Sequence, residues 1–477
     1  MTGAALPCIG FATAKVTPAA KLRGLGVHDD LCARVLYLGA RDGPALVLSL
    51  DHIGMSPGET AALKARLARS SGIPPQRTAF FFSHTHAGVH FSAGKLASLL
   101  ARAAARARSD ARPCQVGHLR LDAARRYAVN RRVEVGRGLG ALSIIYQRDV
   151  AVDPAANTED VGGQVRRFVR TGQNIWGSAY LLPENDPPWA GRPPSPAQAA
   201  LLSALPGKLC LEGPVDPHLE WLGFRGSEGR WLGSIVRFAA HPVTWRSALT
   251  KMVSADYPGV LCASIESATG APALFVNGPC GNVKPLFEHY GEDEMNRLGS
   301  SLARELLAAE TLLQWHPLER ARFLRRRERF QVHPDVRTFG GRWPTADASA
   351  RHLLLAQRGE DPAAVKAALD WSLRCWGNEQ VGWRRPAISL PFHLIAFNDL
   401  GLVGLPSEVW CEIGLSIEQA CGDKRLMVGS LCDVVTNYVP VPGALRLGGY
   451  EAVNSMLEDC AGGRFVEVAA DLVRGNL

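Results

Sequence analysis

A chain of 477 residues, 47% of them hydrophobic, can bury a large core, which excludes global disorder. The net charge of +8 raises nucleic-acid binding as a function class. Most of that charge is Arg in stretches such as Ala101 to Arg112, and the densest run, Arg320 to Arg329, holds Phe323 as its one aromatic, so we read a solvated face and expect no nucleic-acid partner.

In chain order, the region Met1 to Thr17 has its first cation at Lys15, after its apolar stretch, unlike a secretory signal. Ala33 to Gly39 and Ala45 to Leu50 are β-rich runs separated by Arg-Asp-Gly-Pro, which predicts a hairpin. Pro57 to Ser70 repeats apolar residues at helical spacing, and Gly72-Ile73-Pro74-Pro75 ends it before Thr78 to Phe82. That last run is apolar without alternation, as in a strand covered on both faces. Strand, helix, strand predicts a crossover unit of an α/β fold, with ligands gathering beyond the carboxyl ends of the strands.

From about 150 to 212 the pattern dissolves into a polar, Pro-rich stretch with one short helix at Pro196 to Leu205, read as a substrate-shaping insertion. Strands return at Trp231 to Ala240 and Ala273 to Asn277, and a helix at Asp293 to Glu310. A second insertion is expected at about 319–385, with a helix at Asp361 to Arg374. Strands resume at Leu390 to Asn398 and Leu400 to Leu405, Glu408 opens a helix, and Leu426 to Ser430 is the last strand. No uncharged apolar run reaches the roughly 20 residues of a membrane span, so no stable membrane insertion is expected. The eleven cysteines are scattered singly and are read as reduced thiols in a cytoplasmic protein.

Catalytic zinc takes nitrogen and oxygen ligands from separated parts of a chain and keeps one position open. Four segments at predicted strand ends offer such ligands: Ser83-His84-Thr85-His86, Ala240-His241-Pro242, Leu405-Pro406-Ser407-Glu408 and Thr436-Asn437-Tyr438. Singly, each has an ordinary explanation. His84-Thr85-His86 is evenly balanced between a metal pair and two structural histidines, and His241 before proline is more often structural. Glu408 reads as a first-turn acid favoured by the helix dipole, and Tyr438 as a half-buried aromatic. The Gly278-Pro-Cys-Gly-Asn segment can offer Cys280 as a nucleophile or simply form a tight turn, with the turn favoured. Asp51, Asp216 and Asp256 are candidates for ordering loops or supporting a histidine.

Together, and in this order, the segments resemble the catalytic domain of the neutral/alkaline ceramidases. The same resemblance runs through Asp30-Leu31-Cys32-Ala33-Arg34, Ser49-Leu50-Asp51, Asn130-Arg131-Arg132, Ser254-Ala255-Asp256-Tyr257-Pro258-Gly259 and Gly449-Tyr450-Glu451, from about residue 10 to 455. It implies a mixed-sheet α/β catalytic domain, single over 1–477, interrupted by the two insertions. It also implies one Zn2+ ion on His84, His241, Glu408 and Tyr438, with His86, Arg131 and Tyr450 as catalytic residues. In that family, metal-activated water attacks an amide carbonyl.

The family pattern is altered in places. Ser407-Glu408 stands for Gly-Glu, Gly281-Asn282 for Gly-Asp, and Ala87-Gly88-Val89 for Ser-Gly-Pro. No counterpart of the family's C-terminal sandwich domain is expected. The expected substrate is therefore a small or medium N-acyl compound and not ceramide. Acyl transfer or cyclisation on the same metal, and a non-catalytic binding protein on the same fold, are the alternatives. A homo-oligomer is compatible with the sequence.

Overall fold

The computed structural model describes residues 6–18, 24–135, 140–143, 158–159, 209–210, 213–245, 250–287, 290–333, 385–447 and 450–477. The helices expected at Pro196 to Leu205 and Asp361 to Arg374 lie outside these residues. Within them the chain is α/β, built on three principal sheets of mixed strand direction.

The first sheet follows the order β1 (Cys8–Lys15), β2 (Cys32–Ala40), β3 (Gly43–Leu50) and then, after helix α1 (Pro57–Ser71), β4 (Thr78–Phe82). The predicted hairpin is present as an antiparallel pair, Val35 opposite Leu48, and β4 joins β3 in parallel through the α1 crossover. Local chemistry sets the limits of α1. Ser56 accepts from the Glu59 amide while the Glu59 carboxylate accepts from the Ser56 amide, and Gly72 closes the helix at φ 71°. Helix α2 (Ala93–Ser109) packs beside α1, burying Leu96, Leu100, Ala103 and Ala107 and leaving Arg102, Arg106 and Arg108 exposed.

The second sheet contains β5 (Gln115–Asp122), β6 (His218–Arg225) and β7 (Trp231–Phe238). Helix α3 (Asp256–Thr269) leads to β8 (Ala273–Asn277), and helix α4 (Glu292–Ala308) to β9 (Trp315–Pro317). Its spatial order is β8-β7-β6-β5-β9, with β7 and β8 parallel.

The third sheet runs β10 (Ala321–Gln331), β11 (Ala387–Phe397), β12 (Leu400–Gly404), helix α5 (Cys411–Cys421) and β13 (Arg425–Gly429), and helix α6 (Ala461–Arg474) covers it. The Arg-rich run is thus the edge strand β10. Phe323 and Phe330 point inward, and Arg326 pairs with Glu328.

Each sheet has two buried faces. On β4, Phe80 and Phe82 join the cluster under α1 and α2, whereas Ala79 and Phe81 join a central cluster shared by all three sheets, with Phe224 and Ile235 from the second and Ile395 and Leu402 from the third. This is why the strand shows no polar alternation. Behind the third sheet, Phe392 and Leu394 pack on Ile413, Ile417 and Phe465 of α5 and α6.

One ion network crosses the interior. Arg237, fully buried, bonds to Asp216, to Glu220 at 2.8 Å and to the Val428 carbonyl at 2.6 Å, tying the second sheet to the third. Its charge holds the Asp216 carboxyl well below the usual carboxylate range, against the cost of burial. Arg237→Met leaves the buried Asp216 without its cation and Glu220 with Arg120 alone, so we expect a loss of about 3–5 kcal/mol in denaturant unfolding. A loss under about 1 kcal/mol would show that this network does not clamp the sheets.

Candidate metal centre

Loops beyond the carboxyl ends of β4, β7, β8, β12 and β13 interlock. The Phe82 amide donates to the Leu431 carbonyl and Ser430 to Asn277, while Leu431 reaches back to Ser407. The Gly281 amide donates to the Val409 carbonyl at 2.8 Å, and a Cβ on Gly281 would lie 2.6 Å from the Glu408 carbonyl, so only glycine permits this approach.

These loops bring His84, His86, His241, Glu408, Tyr438 and Arg131 into one cluster. His84 Nε2 lies 3.3 Å and His241 Nε2 3.0 Å from the same oxygen, Glu408 Oε2. The candidate ligand nitrogens of His84, His86 and His241 all lie within 4.8 Å of one another. Ring centroids are 5.0 Å apart for His84 and His86 and 6.3 Å for His241 and Tyr438. His84, His241, Glu408, Tyr438 and Arg131 are buried, and His86 is half-buried. Arg131 Nη2 is 3.3 Å from the Tyr438 hydroxyl and donates to the Gly281 carbonyl at 2.9 Å.

Backbone strain accompanies this convergence. His84 has φ 70°, Ser407 φ 69° and Asn437 φ 63°, so a left-handed residue stands at or just before three of the four predicted ligands. Each such residue costs about 1–3 kcal/mol and persists only where its surroundings hold it. Ser407 is held by its amide on Val434 O and its hydroxyl on Thr436, and the His84 amide by His52 O.

The Glu408 prediction is corrected in one respect. Glu408 does not open a helix: Glu408–Val409 is a short strand parallel to Tyr438–Val439, with Glu408 opposite Tyr438, and α5 starts only at Cys411. The Glu408 amide is spent on the Asn437 carbonyl at 3.0 Å. The ladder, not a helix dipole, therefore sets two predicted ligands side by side.

The donor set fits a cation. His84 Nδ1 donates to the Ile53 carbonyl, and His241 Nδ1 donates to the Cys280 carbonyl at 2.6 Å. Carbonyls only accept, so a neutral ring at either position carries its proton on Nδ1 and turns an Nε2 lone pair towards Glu408. Burial and the nearby Arg131 push His241 down to about 4, so its buried ring is neutral at neutral pH. Two lone pairs and an ionised oxygen at these distances repel one another unless a cation lies among them. Neutral nitrogen with carboxylate and phenol oxygen suits zinc.

Two other groups of His, Cys, Asp and Glu come together among the described residues: His393, Cys432 and Asp433, and Asp216, His218 and Glu418. Each already contains a cation, Lys64 on Asp433 and Arg237 on Asp216, so neither calls for a metal.

Cys280 is fully buried with its thiol pushed up by that burial, and it meets His241 through its carbonyl, as a turn residue does. Asp256 accepts from Thr244 and from the Trp245 amide at 3.0 Å, which orders the loop after His241. Asp51 accepts from the Cys32 amide, and Asp216 from Arg237. Tyr450 begins the helix Tyr450–Val453, and its side chain lies outside the described residues.

Three supports have no signature in sequence, namely the carbonyls of Ile53, Cys280 and Val283 that orient the histidines. Two more involve charged side chains: Glu412 accepts from Asn282 Nδ2 at 2.7 Å, and Glu451 accepts from Arg131 Nε at 2.6 Å. Glu451 lies in a segment carrying the resemblance, but its partner is 320 residues away.

No family model and no curated protein sequence matches the chain. Solved structures do. The crystal structure of neutral ceramidase from Pseudomonas aeruginosa aligns with a TM-score of 0.61 at 15% identity, over 98% of this chain and 75% of that one. A ceramidase complexed with C2 aligns equally well, with a TM-score of 0.61 at 14% identity, over 99% and 76%. The fold is that of the neutral ceramidases.

Proposed function

We propose that this chain is a zinc-dependent amidohydrolase whose metal is held by His84, His241, Glu408 and Tyr438. The observation that carries the reading is the convergence of two Nε2 lone pairs on the Glu408 carboxylate, with both Nδ1 protons committed to carbonyls. The ceramidase fold adds to it, since those proteins act on an amide. When bound, zinc lowers the pKa of water towards ~7 and polarises a carbonyl.

The chain's own residues do the rest. His86, half-buried beside His84, takes the proton of the attacking water and delivers it to the leaving amine. Arg131 offers N–H groups to the developing oxyanion, with Tyr450 as second donor. Hydrogen bonds between the loops hold His86 and Arg131 in place before substrate arrives, so little reorganisation is needed during reaction. The altered loop Ala87-Gly88-Val89 supports a small or medium N-acyl substrate in place of ceramide. We read the chain as one catalytic domain working in the cytoplasm.

Metal analysis of the purified full chain is expected to find one zinc per chain, and less than about half would count against the reading. Aminomethylcoumarin amides of acetyl, hexanoyl and dodecanoyl groups, incubated in isotopically labelled water, are expected to yield acids carrying solvent oxygen. Metal without solvent oxygen in the product would point to acyl transfer or cyclisation, and a chain without metal to a binding protein on this fold.

A further inference from the structure

We propose that Glu451 is a positioning residue that fixes the guanidinium of Arg131 against the metal centre. The proposal rests on the amidohydrolase reading above. Arg131 and Glu451 are both buried, and Glu451 Oε1 accepts from Arg131 Nε at 2.6 Å. The same guanidinium donates through Nη2 to the Gly281 carbonyl at 2.9 Å and lies 3.3 Å from the Tyr438 hydroxyl, with its carbon 6.0 Å from the Tyr438 ring centroid. The Arg131 amide is anchored too, on the Asn282 carbonyl at 2.8 Å. A planar fork pinned at Nε and at Nη2 has its plane fixed.

Glu451 belongs to the helix Tyr450–Val453, which packs on Tyr438–Val439, and Asn437 bridges to Ser455. One short element therefore carries the counter-ion of Arg131 immediately after the predicted donor Tyr450, and both are registered against the ligand Tyr438. A buried ion pair adds little to stability compared with apolar residues of the same volume. What it provides here is geometry and charge balance: one carboxylate neutralises one guanidinium and sets the direction of its remaining N–H groups.

The test uses the zinc-loaded full chain and acetohydroxamate as probe, which chelates zinc and presents an oxygen to donors beside the metal. Wild type, Glu451→Gln, Arg131→Ala and the double variant are compared by calorimetric binding, zinc content and melting temperature. If Glu451 acts through Arg131, each single variant weakens binding by about tenfold at unchanged zinc content, and the double variant is no weaker than Arg131→Ala. Losses that multiply in the double variant, or unaltered binding by Glu451→Gln, would overturn the proposal.

Where Glu451→Gln fails to fold, Glu451→Asp keeps the charge and withdraws the carboxylate by one methylene. Weakened binding at full zinc content supports positioning, and wild-type binding overturns it. A wild-type chain that takes up neither zinc nor acetohydroxamate removes the amidohydrolase reading itself, which separates that failure from this one.

Discussion

Glu408→Gln is expected to abolish zinc binding while leaving the metal-free protein as stable as wild type or more so. In the wild-type site an ionised oxygen faces the Nε2 atoms of His84 and His241 at 3.3 and 3.0 Å, with both ring protons turned away onto carbonyls. A glutamine NH2 group donates to one of those lone pairs and removes the repulsion, and it contributes no charge to a divalent cation. Zinc should stabilise wild type by about 2.7 kcal/mol at a free concentration near 100 times Kd and should leave the variant unmoved. Hydrolysis, deprived of several kcal/mol of metal-derived stabilisation, should fall by about 10³-fold or more. The observation against this account is a metal-free Glu408→Gln protein destabilised by more than about 1 kcal/mol. That would mean the histidines hold protons on Nε2 and pair with Glu408 as ions, with no need of a metal.

His86→Ala is expected to retain zinc and lose activity, whereas His84→Ala should lose both. His86 is the half-buried member of the histidine group, and its ring stands edge-on to His84. A ligand contributes to metal affinity whether or not substrate is present, whereas a proton carrier matters only during turnover. Removing a positioned general acid or base lowers kcat by about 10²- to 10⁴-fold. Zinc content measured beside kcat separates the roles. Because the nitrogen of His86 also lies within 4.8 Å of those of His84 and His241, equal zinc loss in the two variants would make His86 a ligand and sink this division.

Much of the architecture around the site was legible in the chain. The crossover of β3, α1 and β4 was written in local signals: helical spacing from Pro57 to Ser70 and the breaking Gly72 to Pro75. Such signals work because they act within a few residues. The edge strand β10 was not legible. Its five arginines hide that both faces are covered, Phe323 packing into the central cluster and Phe330 into the one beneath α5 and α6. Glu408 was legible as a ligand type but not as strand, since a two-residue ladder with Tyr438 has no pattern of its own.

What the sequence determined by itself was the chemistry available: two histidines after a buried strand, another before a proline, a glutamate and a tyrosine, each of a type that suits zinc. What only the tertiary structure decided was that they meet, and which nitrogen of each ring faces inward. His84 and His241 become Nε2 donors because the carbonyls of Ile53 and Cys280, far away or anonymous in the chain, take their Nδ1 protons. Arg131 gains its direction from a carboxylate 320 residues downstream. Every residue has a carbonyl, so no sequence pattern marks the ones that matter, and long-range contacts exist only once the core has brought the strand ends together.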